Sequence, residues 1–311
     1  ISLYVGNYDF WLKSSQLAAK MRQDANAKKE DQIKELKEFI ARFSANASKS
    51  KQATSRKKQL DKITLDDIQP SSRKYPFIKF EKERDLGNDL VSVKGVSKTI
   101  DGKKILDNIT FTLRPGEKTA IISRSDVATT VLMQILAGKM EPDEGEVVWG
   151  QTTRTSYMPK NINSDFEDDS LTIIDWLRQF ASKEESDDPF LRSFLGRMLF
   201  SGDNIQKQIK VLSGGEKVRC MLSKMMLQKG NVLMLDDPTN HLDMESITAL
   251  NDALIPFDGS LIFTSHDREF VQTIADHIIE VSDKGMVQRA DTHYDDFVNH
   301  PDVQKQVEEL Y

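Results

Sequence analysis

The residues with the clearest chemical potential lie in a few short strings. Leu212-Ser213-Gly214-Gly215-Glu216 sets a hydroxyl and two glycines just ahead of an apolar helical stretch that runs to Leu227. A hydroxyl, close backbone approach and free N–H groups at a helix start all suit a phosphate. The same residues also fit a plain helix N-terminus, with Ser213 as cap and Glu216 completing a capping box, and the two readings are compatible. Val232-Leu233-Met234-Leu235-Asp236-Asp237-Pro238-Thr239 reads as a buried strand ending in two carboxylates. An NTPase needs such an arrangement to hold Mg2+ and orient water. Asn240-His241-Leu242-Asp243 follows directly, and Ser265-His266-Asp267 comes after one more helix and strand.

In order and spacing, these strings resemble the signature, Walker B, D-loop and switch-histidine segments of ATP-binding-cassette (ABC) proteins, across about residues 89–290. The resemblance implies an α/β fold: a P-loop NTPase cassette with a largely parallel sheet and a helical subdomain, using ATP and Mg2+. In that family two cassettes pack head to tail, and each ATP lies between the P-loop of one and the signature of the other. By the same resemblance Leu212, Ser213, Gly214, Gly215 and Glu216 close over nucleotide. Asp236 is the metal ligand, Asp237 the catalytic carboxylate and His266 the switch residue at the γ-phosphate, while His241 helps shape the interface. Transporter cassettes usually carry a Ser-Ala-Leu-Asp type of sequence after Walker B. Here Thr239-Asn240-His241-Leu242-Asp243 and Ser265-His266-Asp267-Arg268-Glu269-Phe270 are instead similar to the ABC-F branch. ABC-F chains carry two cassettes joined by a long helical hairpin that meets transfer RNA on the ribosome.

One pocket departs from the pattern. A working P-loop, G-x-x-x-x-G-K-[ST], surrounds phosphates with backbone N–H groups and brings a lysine to the β/γ oxygens. The corresponding segment is Ser123-Arg124-Ser125-Asp126-Val127-Ala128-Thr129-Thr130, between a strand at 119–122 and a helix expected over 130–137. Both glycines are missing, Thr129 replaces the lysine, and Asp126 brings negative charge; only the hydroxyl of Thr130, a conditional Mg2+ ligand, survives. Asp237 stands where the family usually has glutamate, Lys160 where it has the Q-loop glutamine, and Ile100 where an aromatic would stack on adenine. Lys160 is the candidate to replace the lost lysine. Four changes around one pocket predict that it does no ordinary ATP turnover, and that the intact signature serves ATP held by another cassette.

The elements that position these strings divide into two unlike halves. Asn7 to Gln69 contains neither glycine nor proline and favours long helices. Ile33, Leu36, Ile40 and Phe43 form an apolar stripe for a partner helix, and Ser44–Ser48 is a plausible break, giving an antiparallel α-helical hairpin over 1–69. Arg42, Lys49, Lys51, Arg56, Lys57, Lys58 and Lys62 make its tip basic, opposed by Asp61 alone, which suits RNA phosphates as well as a solvated face. The hairpin's place in an ABC-F chain favours RNA. Residues 70–88, with Pro70, Pro76 and Gly87, read as a connector. From 89 to 290 short β-rich runs alternate with helices, and 291–311 forms a tail. Val5–Phe10 faintly echoes Asp291–Phe297, and the chain opens on Ile1, so an upstream cassette is expected.

Bulk composition narrows the class. Charged residues are 30% of 311 and the net charge is −6, so the chain is not a uniformly basic nucleic-acid coat. Apolar runs fall well short of the roughly 20 residues that span a bilayer, and no leader is evident, so a cytoplasmic protein without membrane contact is expected. The lone Cys220 sits in an apolar helical run and reads as core, as do Met221, Met225, Met226, Trp149 and Trp176. Glu167-Asp168-Asp169 reads as a solvated loop before a helix. Two rival functions remain at this stage: the ATPase subunit of a membrane transporter, and a non-catalytic scaffold that binds RNA or protein.

Overall fold

The structure, a computed structural model, describes residues 74–166 and 168–311, together with 20, 21, 24, 26–29, 31–38, 41 and 56–60. The chain divides into two compact units, Ile1–Ser72 and Arg73–Tyr311. In the first, every described residue is helical. Leu36 is buried and Ile33 half-buried, on the expected stripe; Ile40, Phe43 and the break at 44–48 lie outside the described residues.

The second unit holds two sheets. Strands β1 (Val91–Ile100), β2 (Lys103–Leu113) and β4 (Glu144–Trp149) form an antiparallel sheet in the order β2-β1-β4. Strands β5 (Thr155–Met158), β6 (Val232–Asp236), β7 (Ser260–Thr264), β3 (Lys118–Ile122), β8 (His277–Ser282) and β9 (Gly285–Ala290) form the other, in that order. It is parallel apart from β9, which pairs antiparallel with β8. Sequence reading anticipates the parallel strands as one sheet but assigns neither the separate antiparallel sheet nor β5 and β9. The helices are α1 (Asp126–Leu136), α2 (Ile173–Arg178), α3 (Asp188–Arg197), α4 (Gly214–Gln228), α5 (Met244–Leu254), α6 (Arg268–Ile274), α7 (Tyr294–Asn299) and α8 (Pro301–Leu310).

The period-two alternation of a strand explains how one sheet supports two cores. Leu233 and Leu235 of β6 face α4, packing with Met221 and Leu222. Val232 and Met234 face the opposite side, in a cluster with Leu132 and Met133 of α1 and Val93 and Leu106 of the antiparallel sheet. Because both faces are covered, β6 and β7 are buried at every residue and read as unbroken apolar runs. Cys220 lies fully inside, where burial pushes its thiol up, away from the reactive thiolate.

Two boundaries differ from expectation. Residues 74–88, expected as part of a connector, pack on the cassette: Ile78 and Phe80 are buried in its core, and Phe77 N–H donates to Arg197 O at 2.9 Å. Apolar side chains in this short stretch hold it down despite Pro76. Residues 291–311, expected as a C-terminal tail, also pack on the cassette: Phe297 and Leu310 are buried and Ser282 Oγ donates to Leu310 O at 3.1 Å.

Candidate functional site

The loop after β3 differs most from the sequence pattern. The helix expected from Thr130 begins a turn earlier, at Asp126, with Ser125 as an extended N-cap. None of residues 123–130 adopts a left-handed backbone, which accords with the loss of both glycines. Four N–H groups of this segment are bonded within the chain, while those of Asp126 and Val127, the first two residues of α1, have no intrahelical acceptor. Arg124 N–H donates to Tyr311 Oη at 2.9 Å and Ser125 N–H to Ser123 Oγ at 3.0 Å. Ala128 and Thr129 both donate to Ser125 O, at 3.0 and 3.4 Å. Tyr311 also lies 4.0 Å beneath the Arg124 guanidinium, and its hydroxyl donates to Val281 O at 3.3 Å.

Charged groups from three other segments gather at this loop. Asp126 Oδ2 is 3.1 Å from Lys160 Nζ, just past β5, and Oδ1 is 3.1 Å from His266 Nε2, just past β7. Lys160 also reaches Asp237 at 3.5 Å, beyond the end of β6. The hydrogen bond from Lys160, and then its charge and that of His266, hold the Asp126 carboxyl below its usual range. Burial works against the Lys160 ammonium, yet Asp126 and the charges of Asp237 and Asp236 keep its pKa raised. Asp237 takes a left-handed φ of 54°, tolerable for Asp, and its N–H donates to Thr264 Oγ1 at 2.9 Å.

Asp236 is the buried member of the set, 1% exposed. Thr264 Oγ1 donates to its Oδ1 at 2.8 Å, whereas Oδ2 has no partner. Burial pushes this carboxyl up despite the Thr264 bond. The neighbouring Thr130 hydroxyl is also buried; it lies close enough to the Asp236 carboxyl to work against the upward shift, but falls short of a full hydrogen bond. These two unsatisfied oxygens fit a Mg2+ ion. The 123–130 loop does not fit a triphosphate: it has no lysine, the amides of Arg124, Ser125, Ala128 and Thr129 are already engaged, and Asp126 sets a carboxylate at the helix start. Thr129, buried, donates its hydroxyl to Asp126 O at 3.0 Å.

The 212–216 string takes the form its sequence predicts. Ser213 caps α4, accepting from Glu216 N–H at 3.3 Å, and Glu216 Oε2 accepts from Ser213 N–H at 2.8 Å. Those bonds outweigh burial and hold the Glu216 carboxyl below its usual range. Gly214 and Gly215 are the first two helical residues, so their N–H groups have no intrahelical acceptor. Leu212 is buried and anchors the loop, while Ser213 and Gly214 are exposed. His241, with φ 65°, packs against the glycines: a Cβ on Gly215 would lie 2.8 Å from its carbonyl oxygen. A cavity of about 200 Å³ joins Gly214, Lys217 and His241 to Lys160, Asp236 and Asp237.

Of the basic residues expected at RNA, Arg56, Lys57 and Lys58 are exposed on helix, whereas Arg42, Lys49, Lys51 and Lys62 lie outside the described residues. Tyr311 and Arg124 carry no local sequence signal for their contact.

Comparisons with known proteins match this geometry. Two family profiles, each described as ABC transporter, match residues 1–80 and 106–240. Solved ABC structures share the fold: the ATP-binding subunit of an ABC transporter covers 71% of this chain and 98% of its own, with TM-score 0.57 and 21% identity. Fold and site together define a P-loop NTPase of the ABC class, and the chain is an ABC ATP-binding protein.

Among relatives, the uncharacterized ABC transporter ATP-binding protein YkpA of Bacillus subtilis is 58% identical over 100% of this chain and 57% of its own length. The probable ATP-binding protein YbiT of Escherichia coli is 44% identical over 96% of this chain and 56% of its own length. ABC transporter F family member 2 of Arabidopsis thaliana is 32% identical over 92% of this chain and 42% of its own. The chain thus spans about half the length of the relatives it matches. Among the described residues, no helix is long and apolar enough to cross a membrane.

Proposed function

We propose that this chain is the second half of an ABC-F ATPase that acts on the ribosome. Its signature face completes a nucleotide site whose P-loop belongs to a first cassette, and its own P-loop face does no ordinary turnover. The contrast between a 212–216 loop with its glycines and capping box intact and a 123–130 loop without glycine or lysine, whose helix start carries the ion-paired Asp126, carries this reading. Similarity to F-family members and coverage of only about half of each relative support it. Bound ATP would bring its charge to the free amides of Gly214 and Gly215 and the hydroxyl of Ser213, which align it without rearrangement. The basic helical arm, through Arg56, Lys57, Lys58 and their neighbours, is the contact for ribosomal or transfer RNA, and hydrolysis permits release.

The test uses the whole two-cassette protein. Gly214→Asp places a carboxylate where the phosphate belongs, and turnover should fall on the order of 100-fold, the usual cost of losing a charge-stabilising donor. Unchanged turnover would refute the shared site. Co-sedimentation with ribosomes in a non-hydrolysable ATP analogue should weaken when Arg56, Lys57 and Lys58 are neutralised. Binding that ignores those charges removes the RNA role.

A further inference from the structure

The first turn of α1, Lys160 and His266 form a donor set suited to an oxyanion: a helix start, an ammonium and an imidazole converging from three segments. Here the anion they meet is the chain's own Asp126, 3.1 Å from each side chain. A second observation points to a ligand at this place. Asp236, 1% exposed, leaves Oδ2 without a full hydrogen bond nearby, and the buried Thr130 hydroxyl beside it makes none either, though it lies close enough to influence that carboxyl. Asp236 and Thr130 await a cation; Lys160 and His266 have an anion already. We propose that Asp126 is an internal stand-in for phosphate, neutralising Lys160 and the head of α1 and keeping this pocket shut to phosphate-bearing ligands. Tyr311 completes the closure by engaging the Arg124 N–H and stacking on its guanidinium. This rests on the reading that the 123–130 face performs no turnover, and it supplies the means.

The surrogate makes the pocket latent rather than absent: removing this carboxylate takes the nearer anion from Lys160, leaving Asp237 at 3.5 Å, and releases His266 toward the same centre. Pyrophosphate is the probe, titrated calorimetrically into the 311-residue chain. The natural chain should show no saturable binding, and Asp126→Asn should gain at least about tenfold in affinity, the worth of a freed charge-assisted contact. Adding Lys160→Met to that variant should abolish the gain. Equal binding by the natural chain and Asp126→Asn overturns the proposal, as does a gain that survives Lys160→Met. Should Asp126→Asn fold poorly, amine labelling of the natural chain decides, read at Lys160 by mass spectrometry. Pyrophosphate should leave its labelling rate unchanged, and protection would overturn the surrogate. Either failure leaves the signature reading standing, because that reading is tested separately by turnover of the whole protein.

Discussion

The 123–130 loop and the 212–216 loop are built on one plan: a serine N-cap followed by a helix whose first turn carries an acid. They diverge through where that acid sits. Glu216 occupies the third helical position and bends back to the Ser213 N–H, so its charge stays within the cap and the Gly214 and Gly215 amides remain available. Asp126 occupies the first position, where folding back is impossible, and its charge points outward to Lys160 and His266. Glycine reinforces the difference, since Gly215 has room for nothing larger beside the His241 carbonyl, whereas Ala128 and Thr129 continue an ordinary helical turn. An anion-accepting helix start and an anion-refusing one can therefore differ by two residues in the placing of a carboxylate.

The largest test of this contrast converts one loop toward the other. Ser123→Gly, Asp126→Gly, Ala128→Gly and Thr129→Lys together restore the cradle and its cation. The restored chain should bind MgATP roughly a thousandfold more tightly than the natural one in equilibrium dialysis, a difference of about 4 kcal/mol. Unchanged affinity would mean that something other than loop chemistry separates the two faces. On the signature side, Gly215→Ala drives a methyl to 2.8 Å from a backbone oxygen that cannot swing away. Helix propensity favours alanine, but the overlap should dominate and lower stability by about 1–3 kcal/mol in urea denaturation. A neutral result would show that the 240–243 turn yields and that the glycine serves ligand approach alone.

Much of this contrast is legible in the chain before any folding. The capping box depends on residues three apart, and the lost lysine and glycines are read position by position. The buried strands β6 and β7 announce themselves through unbroken apolar runs. What escapes depends on long-range geometry. The Tyr311 clamp joins residues 187 apart, and nothing near Arg124 foretells it. Asp126 reads from sequence as a repulsive charge; only the folded chain brings the Lys160 ammonium and the His266 ring to it. Strand β5 has only four residues and β9 is an edge strand whose apolar stretch is cut short by Gln288 and Arg289, so neither carries the apolar run that marks its neighbours. The antiparallel sheet pairs β1 with β4 across 43 intervening residues, a pairing that alternation alone does not specify.

The smallest effect separates the two carboxylates of the 123–130 face by sign. Asp126 is held below its usual range, so its contribution is present above the unfolded value and is lost as pH falls through the lower folded one. Asp236 is pushed up by burial, so folding is favoured at acid pH, and that advantage is lost as pH rises through the folded value. Asp236→Asn keeps an acceptor for Thr264 while removing a buried charge with one unsatisfied oxygen. Without Mg2+ it should stabilise the chain at neutral pH by about 0.5–2 kcal/mol, the usual span of single stabilising changes. That gain should shrink toward zero in acid. Asp126→Asn should instead destabilise slightly at neutral pH and converge on the natural chain in strong acid, since its exposed ion pairs are screened by solvent. Urea melts across the acid range decide the matter. Parallel profiles for the two variants would mean that both carboxylates sit in one kind of environment, against the division between an anion already satisfied by cations and a buried acid that still lacks one.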